Sequence, residues 1–87
     1  MDKAPRIIDF ALRDEATAQK VIATMVMGAE MYDWATIGDL YILVGLSPHA
    51  TAKDQYWGWT QEQLLKVTYE ESPEGFRIVL PEPIRLN

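Results

Sequence analysis

The chain of 87 residues contains no cysteine. Disulfide scaffolds, thiolate metal sites and thiol nucleophiles are thereby excluded. A single histidine, His49, and two serines, Ser47 and Ser72, leave little material for nucleophilic catalysis. The 5 glycines stand singly, so no glycine-rich loop is available to cradle a phosphate. Basic side chains are in the minority, with 8 Lys and Arg against 13 Asp and Glu, and the net charge of −5 is spread over both halves of the chain. That balance opposes non-specific binding to nucleic acid or anionic lipid. Long apolar runs are missing too. The longest, Met25-Val26-Met27-Gly28-Ala29, is closed by Glu30 and falls far short of the roughly 18–20 residues that cross a bilayer. Met1-Asp2-Lys3-Ala4-Pro5 lacks the basic region and apolar run of a secretory signal, which predicts a soluble, intracellular protein.

What is present reads as one globular domain spanning 1–87, with 48% hydrophobic and 24% charged residues. Asp14 is a good N-cap and Glu15 suits a first turn. Ala18, Ile22, Met25, Ala29 and Tyr32 then recur at three- and four-residue steps, which predicts a helix over about 15–32. Val21, Val26 and Met27 widen its apolar stripe beyond that of a usual surface helix. A second, short helix is marked at both ends. Thr36 and Asp39 form a Thr-x-x-Asp capping pair, Ile37, Leu40, Tyr41 and Val44 supply the apolar face, and Gly45 with Leu46 can close the last turn.

Ser47-Pro48 restarts the chain, and His49 to Tyr56 is expected as a weak third helix or an ordered loop. Thr60-x-x-Gln63 caps one more turn at most. Leu65, Val67 and Tyr69 alternate with polar residues, Ser72-Pro73-Glu74-Gly75 has turn chemistry, and Phe76, Ile78 and Leu80 alternate again. These predict a C-terminal β-hairpin with those six apolar residues facing inward. Pro81 and Pro83 end it, and 81–87 is expected as an extended tail. Arg6–Leu12 can add a third strand to the hairpin. The expected fold is therefore α+β, with two helices covering one face of a hairpin-based sheet, in an order similar to a winged helix.

Three separated motifs carry a resemblance. Ala35-Thr36-Ile37-Gly38-Asp39-Leu40-Tyr41-Ile42-Leu43-Val44-Gly45, then Trp57-Gly58-Trp59-Thr60, then Leu80-Pro81-Glu82-Pro83 resemble, in the same order, a group of uncharacterised phage and prophage proteins. The likeness spans roughly 15–83. In that group the segment is similar to a compact C-terminal domain, often behind a longer basic or low-complexity region, and the present chain looks like that domain alone. The resemblance implies a phage origin, in the host cytoplasm or on the virion. It transfers no catalytic residues.

Candidate chemistries are few. Ser47 and His49 flank a proline and read as cap and solvent-facing residues rather than nucleophile and base. Glu70 and Glu71 are adjacent on a strand and point to opposite faces, and Glu74 lies in the turn, so these carboxylates read as a solvated hairpin tip. No EF-hand-like spacing is present, and no metal or other cofactor is implied. Clustered aromatics carry the remaining signal. Trp34, Tyr56, Trp57 and Trp59 are candidates for binding a protein partner or a second copy, against the reading, favoured for the group as a whole, that they close a small core. A winged-helix DNA reader would place His49, Thr51, Lys53, Asp54 and Gln55 at the recognition position. That set has one firm positive charge, and the wing would offer Glu70, Glu71 and Glu74 to a polyanion. A nucleic-acid-mimicking inhibitor would need grouped carboxylates, which the sequence scatters. The expectation is a non-enzymatic protein-interaction or assembly module that binds neither nucleic acid nor membrane, with a DNA-binding regulator as the alternative.

Overall fold

The computed structural model describes residues 3–86; Met1 and Asp2 of the N-terminal pentapeptide and Asn87 of the tail lie outside it. The fold is α+β. Helix α1 spans Glu15–Tyr32, and Asp14 caps it by accepting from the Thr17 N–H at 2.8 Å and from the Thr17 hydroxyl at 2.7 Å. Ala18, Val21, Met25 and Ala29 form its buried stripe. Asp33 then turns the chain with φ 75°, a left-handed conformation that Asp tolerates better than most residues. Strand β1 (Trp34–Thr36) runs directly into helix α2 (Ile37–Val44). Thr36 and Asp39 make both bonds of the capping box, each at 3.0 Å. Gly45 ends α2 at φ 80°, and the Leu46 N–H returns to the Tyr41 carbonyl. Both ends of α2 therefore follow from local chemistry, and burial of Ile37, Leu40 and Tyr41 supplies what an eight-residue helix lacks by itself.

The weak third helix resolves into two 3-10 turns, Ser47–His49 and Ala52–Gln55. Leu46 rather than Ser47 occupies the cap position of the first, and no side chain caps it. Strand β2 (Trp57–Thr60) leads into α3 (Gln61–Leu64), again through a threonine box, here Thr60 with Gln63. The hairpin follows as β3 (Thr68–Ser72) and β4 (Gly75–Val79), and β5 is Ile84–Arg85.

Two sheets form rather than one. The first has the order β1-β2-β5, with both pairings antiparallel. The second is the β3-β4 hairpin alone. The segment expected as a loose tail thus closes the first sheet: Gly58 pairs with Ile84, Trp57 with Arg85, and Pro83 is buried. Gly58 lies between two strands at very close range. A Cβ there would stand 2.7 Å from Thr36 Cα and nearer still to the Ala35 carbonyl oxygen, so only glycine fits.

Arg6–Leu12 is not a full third strand. It meets β4 through one antiparallel bridge, where Leu12 and Phe76 exchange two hydrogen bonds of 2.8 Å. Upstream, side chains take its main-chain groups. The Tyr41 hydroxyl accepts from the Ile8 N–H at 2.9 Å, and Arg77 donates to the Phe10 carbonyl and pairs with Asp9. Leu65 also departs from expectation. It lies in the turn that ends α3, donating its N–H to the Gln61 carbonyl, and its side chain is exposed, whereas Leu64 is buried. Val67, Tyr69, Phe76, Ile78 and Leu80 do pack, half-buried, against the core.

Candidate partner-binding surface

The four aromatics singled out in the sequence do not assemble into one site. Trp59 is fully buried, and its indole N–H donates to the Pro81 carbonyl at 2.8 Å. Trp57 is 8% exposed. Two residues apart on a strand, they share a face, and both belong to the core, so neither is free to bind a partner. Tyr56 is exposed and lies, with Trp57, under the Arg85 guanidinium, whose carbon is 5.9 Å from each ring centre. Trp34 is 39% exposed. It pairs with Thr60 at one end of β2, whereas Tyr56 precedes the other end, so the two surface aromatics stand apart.

Trp34 instead joins residues that sequence reasoning assigned elsewhere. Tyr32, expected on the buried stripe of α1, is 68% exposed at the last position of the helix. On α2, Ile37, Leu40 and Tyr41 turn inward, which leaves Ile42 at 67% and Leu43 at 36% exposure on the outer side. These four frame a groove of about 440 Å³ between α1 and α2, whose lining also includes Thr24, Gly28 and Ala35. Met31, one residue before Tyr32 on α1, is exposed as well, and so is Met27, one turn earlier. A surface helix ordinarily presents polar residues to solvent. Here both helices carry large apolar side chains on their solvent sides, and Tyr32 of α1 shares the groove with Ile42 and Leu43 of α2.

The sequence held two signals for this face. One was Tyr32, a large aromatic at the very end of the α1 stripe. The other was Ile42-Leu43, which falls outside the Ile37, Leu40, Tyr41, Val44 face. The electrostatics of the groove are simple. Among the described residues, Asp39 is the one charged group of its lining, and Asp33 stands between Tyr32 and Trp34 in the chain. Asp39 stays anchored because its Oδ2 accepts from the Thr36 N–H.

The residues weighed for nucleic acid, His49, Thr51, Lys53 and Gln55, are all exposed. They lie on and beside the two 3-10 turns and present no continuous helix to a groove. Between them Asp54 is buried, where its Oδ2 accepts from the Thr51 N–H at 2.8 Å. On the hairpin, Glu70, Glu71 and Glu74 are exposed. Among the described residues no group of three or more His, Asp or Glu side chains is placed to hold a metal ion. Nor, among those residues, is any helix long and apolar enough to cross a membrane. No protein-family model matches the chain, and no curated protein or solved structure is similar to it.

Proposed function

We propose that the protein is a non-enzymatic, phage- or prophage-encoded interaction or assembly module, acting in the host cytoplasm or on the virion, and that its contact face is the groove between α1 and α2. The observation that carries this reading is the outward placement of Tyr32, Trp34, Ile42 and Leu43 around one cavity. Large apolar side chains grouped on a surface mark interaction sites, since a solitary protein gains nothing from exposing them together. Aromatic anchors beside aliphatic ones are also the composition of binding hot spots.

The test is Ile42→Arg, compared with Tyr56→Ala beyond the opposite end of β2 from Trp34. Self-association by sedimentation and partner capture from infected-host lysate are the readouts, with thermal melting as the control for folding. Ile42→Arg is expected to abolish the interaction while leaving the melting temperature near that of the parent, because Ile42 is mostly exposed. Tyr56→Ala is expected to leave it intact. An interaction that survives Ile42→Arg contradicts the reading. Turnover of a nucleotide, ester or phosphodiester that a single substitution abolishes would replace it with an enzyme.

A further inference from the structure

We infer that the α1–α2 groove receives a positively charged amphipathic helix from a partner protein. This rests on the interaction reading above and adds the partner's chemistry. Three observations converge on it. The first is shape. Along α1 the groove runs from Thr24 to Tyr32, about 12 Å at 1.5 Å per residue. That length matches an incoming helix anchored at positions i, i+3 or i+4, and i+7, which spans about 10.5 Å on the same rise.

The second observation is Gly28. It sits inside α1, one turn before the helix ends, and glycine within a helix costs about 1 kcal/mol relative to alanine. An added Cβ at this position would meet nothing within 4 Å, so no contact among the described residues requires a glycine. Gly28 lines the groove. Its missing side chain leaves room on the outer surface that a side chain entering from outside can fill.

The third is charge. Among the described residues no Lys or Arg lines the groove and Asp39 does, in a chain of net charge −5. A carboxylate offers several acceptor positions, so Asp39 can hold its Thr36 bond and still receive a cation. A second copy fits less well. A symmetric dimer would bring Asp39 of both chains to one contact and join two molecules of net charge −5.

The experiment titrates the whole protein with defined 14-residue peptides, followed by amide chemical shifts and calorimetry. One peptide places Leu at the i, i+3, i+4 and i+7 positions with Lys elsewhere; its counterpart carries Glu in place of Lys. The Lys peptide is expected to shift Thr24, Gly28, Trp34 and Ile42, and to bind at least tenfold more tightly than the Glu peptide. Gly28→Leu is expected to fill the dent and weaken that binding at least tenfold. Gly28→Ala should weaken it less while raising the melting temperature, a combination that a structural role for the glycine would not produce. Equal binding of the two peptides, shifts confined to Glu70, Glu71 and Glu74, no binding at all, or indifference to Gly28→Leu would each overturn the inference. A dimer broken by Gly28→Leu would overturn it too, while leaving the interaction reading in place.

Discussion

Strands β2 and β4 are similar in length and both place large apolar residues at alternate positions, yet Trp57, Gly58 and Trp59 are buried while Gly75 to Ile78 are only half-buried. The difference lies in what borders each strand. β2 is paired on both edges, by β1 and β5, and the approach is so close that Gly58 cannot carry a side chain. β4 is fully paired only with β3, and its other edge holds the single Leu12 bridge. Its side chains pack on one flank of the core, with Tyr69 and Phe76 in an edge contact of 6.2 Å and Gln19 of α1 donating to the Tyr69 hydroxyl. Similar alternation thus produced a central strand in one place and a peripheral one in the other. Stability should be divided accordingly, because elements with fewer buried contacts open at lower free energy.

The strongest way to break this comparison is Gly58→Ala. The added methyl collides with backbone rather than with a yielding side chain, so the expected outcome is loss of the cooperative thermal transition, read by circular dichroism. Normal melting of the Gly58→Ala variant would show that β2 is not the tight centre described. Truncations in the two strands should differ in cost. Trp59→Ala removes a fully buried indole and strands the Pro81 carbonyl, at an expected cost of about 3–5 kcal/mol in urea denaturation. Phe76→Ala, half-buried on β4, is expected to cost about half as much and to speed amide exchange chiefly over 68–79. Equal costs would erase the distinction.

The smallest effect concerns Asp14, outside both sheets. Its carboxylate accepts first from the Thr17 hydroxyl and then from the Thr17 N–H, which together hold its pKa below the ordinary value. A depressed folded-state pKa means that the ionised form is favoured by folding. The contribution is therefore fully present above the ordinary Asp value of about 3.9 and is lost as pH falls through the lower, folded-state value. The stability gap between the parent and Asp14→Ala should accordingly narrow on acidification through that range, as followed by thermal melts across pH. A constant gap would mean that the cap acts without its charge.

Legibility in the sequence follows the same division. The caps at Asp14, Thr36 and Thr60, the left-handed Gly45 and the hairpin turn before Gly75 were readable because each depends on residues within four positions of one another. Strands β1, β2 and β5 were not, since three-, four- and two-residue strands carry too little alternation to be recognised. Leu65 misled because its alternation with Val67 and Tyr69 overlapped the end of α3, where backbone bonds to Gln61 and Gln63 had already set the geometry. Of the candidate partner surface, Trp34 alone was anticipated. Tyr32 fitted the helical period and still emerged on the surface, because the period places a residue on a face without saying where the neighbouring element stops.

Residue order alone was enough for the α+β class and for α1 and α2 with their ends, since these rest on side-chain type and near-neighbour spacing. Long-range pairing decided the rest. Only the closing of β1 and β5 onto β2 commits Trp57 and Trp59 to the interior, and only the packing of α2 against α1 leaves Ile42 and Leu43 facing outward beside Tyr32 and Trp34. Burial belongs to the assembled surface rather than to any one residue, so the same kind of side chain became core at Trp59 and stayed at the surface at Trp34.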